Sequence, residues 1–294
     1  LGSFWMRRIR RLIPALVVML GVTALWMALL DTALVDRTKA MFLAGAGYVT
    51  NWYINSVPWL PWDPSARSGS LEHLWSLAVE EQFYLVWPLV MGAVMVLFGL
   101  GRRTLLAGAV AGAAASVALS FLIFDESWAS EARIYLGTDT RAIALLIGII
   151  AALALPPARF VAWKPTGWRA GALEMAGVVG LLGALGLMVG FAQGTPLLYR
   201  GGFGIIAVLA GLLVIAAAHP ATSVSRLLGL APLIWIGARS YGIYLWHLPV
   251  ITLTEPRYGL HMSDGWRSAF QVVLTVLIAA VSYRFIEMPI RTKG

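Results

Sequence analysis

His73, Ser76, Glu80, Tyr84 and Trp87 recur every three or four residues in the string His73-Leu-Trp-Ser-Leu-Ala-Val-Glu-Glu-Gln-Phe-Tyr-Leu-Val-Trp-Pro88. A helix turns about 100° per residue, so this spacing sets all five on one stripe. Glu81 stands one step round from the stripe and Gln82 faces away. The string opens a long apolar run, where a carboxylate and an imidazole are costly unless they face a wet or protein-lined cavity. A lone glutamate at such a place is commonly a helix end solvated by headgroups, but five aligned groups need another reason. The chemistry on offer is proton transfer, with hydroxyls beside an acid and an imidazole.

A second group is cationic. In Phe4-Trp-Met-Arg7-Arg8-Ile-Arg10-Arg11-Leu-Ile-Pro14, Arg8 and Arg11 lie three apart, as do Arg7 and Arg10, and Arg7 neighbours Arg11 at four. Forked guanidiniums at the start of a helix suit phosphates, so Arg7, Arg8 and Arg11 are candidates for holding a phosphorylated ligand. Clusters of this kind beside membrane helices also serve simply as anchors on anionic lipid.

Within Arg239-Ser-Tyr-Gly-Ile-Tyr244-Leu-Trp-His247-Leu-Pro249, Ser240, Tyr244 and His247 share a helical face, while Arg239 and Trp246 lie on another. Pro249 has no amide N–H, which frees a carbonyl one turn earlier and kinks helices near cavities. An imidazole there is equally suited to hydrogen bonding between helices. In Tyr135-Leu-Gly-Thr138-Asp139-Thr140-Arg141, Thr138 or Asp139 is expected to cap a helix, and Arg141 to pair with Asp139 or a substrate. Arg284, Glu287 and Arg291, spaced three and four apart, read as a structural clasp at the end of the last helix.

The elements that must position these groups are membrane helices. The chain of 294 residues is 60% hydrophobic and 12% charged, and its mean hydropathy of +0.80 excludes a soluble globular domain. Apolar runs fall at 12–30, 41–51, 77–98, 104–124, 141–155, 172–191, 203–218, 233–253 and 268–286. The run 41–51, with two glycines, Thr50 and Asn51, is too short to span about 30 Å of hydrocarbon and is expected to dip in and return. The other eight then cross. This puts Arg7 to Arg11, Arg102, Arg103, Arg159, Lys164, Arg169, Arg226 and Arg291 on one side, which the positive-inside tendency makes cytoplasmic. The expected fold class is an all-α polytopic membrane bundle, one domain of about eight spanning helices plus one short or re-entrant segment.

The net charge of +8 is spread between apolar runs rather than gathered on a soluble module, which argues against nucleic acid. The absence of cysteine removes a thiol nucleophile and disulfides, and no two of the four histidines stand at a metal-ligand spacing, so no metal is expected. Residue 1 is Leu, and the chain is expected to lack its beginning.

Taken in order, RRIRRLIPAL, HLWSLAVEEQFYLVWP, YLGTDTRAIALLIG, RSYGIYLWHLPV and SYRFIEMPIR closely resemble acyltransferase family 3, integral membrane enzymes. The resemblance spans almost the whole chain, and the second and fourth strings together are its specific part. It implies transfer of an acyl group, acetyl in most members, from cytoplasmic acyl-CoA to a hydroxyl of a glycan, glycolipid or secondary metabolite, in the cytoplasmic membrane. Arg8 and Arg11 match the family's Arg-x-x-Arg, which faces the CoA phosphates. His73, Trp75, Ser76, Glu80 and Tyr84 match its Trp-Ser-Leu glutamate motif, and Tyr244 and His247 its late Tyr-x-x-His element. Earlier helices bearing an arginine and a histidine, and a Phe-rich Ser-Gly-Phe segment, have no counterpart here, so this piece alone is expected to be inert.

Acyl transfer needs a base, an oxyanion donor and an anion seat. Histidine and Glu80 suit base and orientation, Tyr244 or Arg141 the donor, and Arg8 with Arg11 the seat. Asp139 joins Glu80 toward the outer face. The helices are thus expected to enclose one water-accessible hollow, cationic at the cytoplasmic end and acidic at the far mouth. A proton-coupled transporter or flippase is the alternative, although the sequence has no internal symmetry to favour it.

Overall fold

The computed structural model describes residues 1–30, 32–57, 69–99, 101–190, 195–256 and 261–292, with backbone only for 32–37. In chain order the helices are α1 (Gly2–Leu30), α2 (Thr32–Ala46), α3 (Thr50–Ser56), α4 (Leu74–Phe98), α5 (Arg102–Ile123), α6 (Trp128–Leu136) and α7 (Thr138–Ala154). There follow α8 (Pro157–Ala162), α9 (Trp168–Gly190), α10 (Phe203–Ala217), α11 (Ser223–Leu228), α12 (Ala231–Leu253), α13 (Asp264–Ser282) and α14 (Met288–Thr292). A 3-10 turn, Gly69–Leu71, precedes α4, a kink at Arg200 and Gly201 leads into α10, and a widened π-turn, Tyr283–Glu287, leads into α14. No strand occurs among the described residues.

Among the described residues seven helical stretches are long and apolar enough to cross a membrane, and they coincide with seven of the eight expected crossings. The eighth run is α12, whose 23 residues extend about 35 Å but carry Arg239 and His247. The 41–51 run is not one helix. Its backbone turns at Tyr48, with φ of +53°, between the end of α2 and the start of α3. The chain is an all-α polytopic membrane protein.

Two compact units make up the chain, Leu1–Glu81 with Trp235–Gly294, and Gln82–Ile234. In the first, α1 buries Leu12, Ala15, Leu16, Met19, Thr23 and Met27, the three-and-four spacing of an inward stripe. That stripe packs against α2, while the cationic end of α1 meets the last π-turn and α14. The first and last helices of the described chain therefore end together.

In the second unit α7 packs against α5 and α10, and α10 against α9. Ala109, Ala113, Ile143, Leu146 and Ala207 form the shared core, onto which Phe83 and Trp87 pack. Small residues let the helices close up, as elsewhere in membranes. A Cβ on Gly180 would stand 2.6 Å from Leu213 N and 2.8 Å from Leu209 O. Arg102, at the head of α5, donates from Nε to Leu153 O at 2.5 Å and from Nη2 to Ala154 O at 3.0 Å. It thereby satisfies carbonyls that the end of α7 leaves without an intrahelical partner.

Candidate functional site

The start of α4 lies against the second half of α12 in the first unit. The pairs Ser70–Thr252, His73–Leu245 and Ser76–Tyr244 are all hydrogen-bonded, and their numbering shows that the two segments run antiparallel. Pro249 decides the middle pair. A regular helix would bond the amide of residue 249 to Leu245 O, but proline has no N–H to give. His73 Nε2 donates to that carbonyl instead, at 3.1 Å. A carbonyl can only accept, so the neutral ring carries its proton on Nε2. Nδ1 is left as a bare lone pair, buried and without a hydrogen-bond partner.

Tyr244 and His247 complete this layer. The Tyr244 hydroxyl donates to His73 O at 2.5 Å and shares a short hydrogen bond with Ser76 Oγ. His247 Nδ1 donates to Tyr244 O at 2.5 Å, which leaves its Nε2 as the second lone pair. The His73 and His247 rings meet edge to face at 5.0 Å, with Tyr244 5.3 Å from His73 and 5.4 Å from His247. Two imidazoles are thus fixed in defined tautomers by main-chain carbonyls. The proton of Tyr244, one of the two expected oxyanion donors, is directed to His73 O.

One turn along each helix comes an acid layer. Tyr241 precedes Tyr244 by three residues, and its hydroxyl donates to Leu12 O at 2.7 Å, tying α12 to α1. The charges of Glu81, Glu287 and Arg11 all reach this hydroxyl. Glu81 is half-buried, with Oε1 lacking a hydrogen bond, and feels Arg8 and Glu80. Tyr48, thrust in by its left-handed backbone, is pushed above the usual tyrosine range by burial and then by Glu81. Glu80 is exposed, yet the charges of Arg8 and Arg11 reach it too.

Beyond the acids the arginines open outward. Arg7, Arg8, Arg10 and Arg11 of α1, with Phe4 and with Arg291 of α14, line an open hollow of about 570 Å³. The guanidinium of Arg8 stands 5.7 Å from the Phe4 ring centre. Two expectations need correction here. Glu80 is not separated from the arginines by the thickness of a membrane, since their charges reach it. Nor does the hollow at Arg8 take in Glu80 or His247, because its lining is arginine and Phe4 alone. The acids form the floor between the arginines and the histidines. Between Tyr241 and His247 the six-residue step along α12 amounts to about 9 Å.

Glu287 belongs to that floor rather than to a clasp. It is 2% exposed, its Oε1 has no hydrogen-bond partner, and Arg291 and Arg11 both reach it by charge. No ion pair joins it to Arg284, whose guanidinium sits 5.8 Å from the Phe285 ring centre. The π-turn is the cause, because a widened turn abolishes the three-residue stacking on which the expected pair relied.

Asp139 and Arg141 belong to the second unit. Asp139 is clamped by Arg133, Nη1 to Oδ1 at 2.8 Å and Nη2 to Oδ2 at 2.6 Å, so the expected Asp139–Arg141 pair is not formed. Arg141 instead lies over Phe203, 4.1 Å from the ring centre, and within 5.5 Å of Tyr135. Neither Thr138 nor Asp139 caps α7, since Gly137 holds that position. Thr138 donates to Gln82 Oε1 at 2.6 Å. Among the described residues no group of three potential ligands could hold a metal ion.

The family description "Acyltransferase domain" matches residues 1–284. The chain belongs to acyltransferase family 3. It is 37% identical over 294 residues to the peptidoglycan O-acetyltransferase OatA of Listeria monocytogenes, covering 100% of this chain and 47% of that protein. With the O-acetyltransferase OatA of Staphylococcus aureus it is 34% identical over 295 residues, covering 99% and 48%. The chain thus spans about half the length of these relatives. No solved structure matches it.

Of the residues carried over from the acyltransferase family, His73, Ser76, Tyr244 and His247 form one bonded layer, and Arg8 and Arg11 meet at the hollow beside Arg7. The sequence reading did not single out Tyr48 or Tyr241, and it read Glu287 and Arg291 as parts of a clasp rather than of this site. Tyr241 had a signal, its three-residue offset from Tyr244. Tyr48 had none, because the turn that places it follows from how α2 and α3 pack.

Proposed function

We propose that the chain is the membrane-embedded part of an O-acetyltransferase, which moves an acetyl group from cytoplasmic acetyl-CoA to a hydroxyl of a cell-wall glycan. The Listeria monocytogenes relative is named for peptidoglycan, which supports a glycan acceptor. The observation that carries the reading is the layering within one unit. A hollow of arginines suited to phosphates lies beyond a layer of acids at Tyr241, and Tyr241 is itself about 9 Å along α12 from His247, one of two tautomer-fixed imidazoles. Coenzyme A has the matching form, with its phosphates at one end and its thioester at the tip of a narrow arm.

In this reading Arg7, Arg8 and Arg11 bind the phosphates and the thioester is brought to the histidine layer. His247 Nε2, the more accessible lone pair, takes the proton of the acceptor hydroxyl as its oxygen attacks the thioester carbon. The new C–O bond forms, the C–S bond breaks, and the proton passes on to the departing thiolate, so the histidine is restored. His73, neutral on Nδ1, places no second cation beside the imidazolium that forms. Tyr244 and Ser76 hold the two rings in place, and Glu80 balances the charge of Arg8 and Arg11. Asp139 with Arg133 is a structural clamp, and Arg141 an aromatic-packed cation in its own unit.

The test uses full-length protein reconstituted in vesicles with labelled acetyl-CoA and a soluble glycan acceptor. Wild-type protein is expected to label the glycan, and His247→Gln to cut kcat by roughly 10²-fold or more, the worth of a general base. Unchanged turnover in His247→Gln, with protein levels equal, would remove the histidine from the reaction.

A further inference from the structure

The arginine hollow holds more charge than the acyl-CoA reading has so far used. Arg7, Arg8 and Arg11 were expected from α1, but Arg10 and Arg291 also line it. Arg291 comes from the other end of the chain, one turn beyond Glu287 on α14. Its direction is set locally. The π-turn Tyr283–Glu287 adds about one residue of phase, near 100°, between α13 and α14. With it, Glu287 turns inward against α12, where a Cβ on Gly242 would stand 3.3 Å from Glu287 Oε1. Arg291, four residues on, shares the face of Glu287 and comes out on the rim of the hollow.

Five guanidiniums around one space repel one another. Glu80, Glu81 and the buried Glu287 reach Arg8, Arg11 and Arg291 by charge, and three carboxylates cannot balance five cations. A ligand with several phosphates can, since a phosphomonoester alone carries about two negative charges at neutral pH. Resting on the acyl-CoA reading, we infer that Arg291 is a phosphate-binding residue of the donor seat, so that the phosphates are gripped from two helices. The forked guanidinium suits this role better than an ammonium would, because it meets phosphate oxygens in pairs. An anionic lipid headgroup presents the same phosphate chemistry, and the test separates the two.

The experiment measures binding of CoA and of adenosine 3′,5′-bisphosphate, its phosphorylated half, to the full-length protein in nanodiscs of neutral lipid. Arg291→Gln is expected to weaken both ligands by roughly ten-fold or more, as loss of a charge-assisted bond would. Arg284→Gln, an exposed arginine of the same terminal segment outside the hollow, is expected to leave both unchanged. If Arg291→Gln binds both ligands like wild type while Arg8→Gln/Arg11→Gln loses them, the proposal falls and the acyl-CoA reading stands. Weakening for CoA without weakening for the bisphosphate would also overturn it, because the contact would not be to phosphate. If wild-type protein binds neither ligand, the acyl-CoA reading itself fails. In nanodiscs containing anionic lipid, loss of lipid retention in Arg291→Gln with CoA affinity intact would assign the residue to headgroups and overturn the proposal.

Discussion

A proline within a helix leaves one carbonyl without its usual partner, and at position 249 that carbonyl is given to a histidine. The bond from His73 to Leu245 O is therefore a consequence of Pro249, and changing the proline should act at a distance. Pro249→Ala restores an amide that competes for Leu245 O. Because proline costs a helix interior about 3 kcal/mol relative to alanine, the variant should fold at least as well. Its kcat is expected to drop about ten-fold, less than a general base is worth, with KM for acetyl-CoA unchanged; equal kcat would mean that the tautomer of His73 is irrelevant. Tyr244→Phe strands Ser76 and one bond to His73 O. It should cost about 1–3 kcal/mol, read as a lower thermal midpoint in detergent, and a midpoint equal to wild type would show those bonds to be idle. The stripe from His73 to Glu80 and the face shared by Tyr244 and His247 were legible in the sequence because helical period alone fixes them. Which group meets which was not. Whether Asp139 binds Arg133 or Arg141 depends on how the short turn at Gly137 brings α6 back on α7, and spacing carries no such information.

Helices this apolar pack through small residues and shared carbonyls rather than through a hydrophobic drive, because lipid is as apolar as their neighbours. Gly180 is the tightest such place between α9 and α10. Gly180→Val is expected to force them apart and destabilise by roughly 1–3 kcal/mol, whereas Gly186→Ala, with nothing within 4 Å of the added Cβ, should leave the midpoint alone. A midpoint for Gly180→Val equal to that of Gly186→Ala would show that the close approach has no weight. The helical runs themselves were readable from hydropathy, down to the odd status of 41–51, which its polar residues and glycines betrayed. The π-turn before Glu287 was hidden. Thr275, Ala279 and Ser282 are buried at the ordinary period, and a reader extending that period arrives at Ile286, one residue short.

Both ends of the described chain meet at the arginine hollow, since Arg7 and Arg291 line it together. From the charge bias of the loops we propose that this end faces the cytoplasm. The complete lack of cysteine makes this simple to test, because any introduced thiol is the only one in this chain. Ser3→Cys and Thr292→Cys in a full-length protein free of other thiols are both expected to resist a membrane-impermeant maleimide on intact cells and to react once the cells are opened. Labelling of either one before opening would contradict the shared cytoplasmic side. The all-α membrane class was plain from composition. The hollow at Arg8 does not take in His247, because a sequence shows which groups are polar but not how they layer between the helices.

The central claim is that arginines hold the donor while histidines, a layer away, move the proton. It is tested most directly by steady-state acetyl transfer from labelled acetyl-CoA in the full-length protein, comparing Arg11→Gln with His247→Gln. Arg11→Gln should raise KM for acetyl-CoA about ten-fold with kcat nearly kept. His247→Gln should lower kcat by roughly 10²-fold with KM nearly kept. Two variants that lose kcat and KM alike, or that both turn over like wild type, would contradict the division of labour.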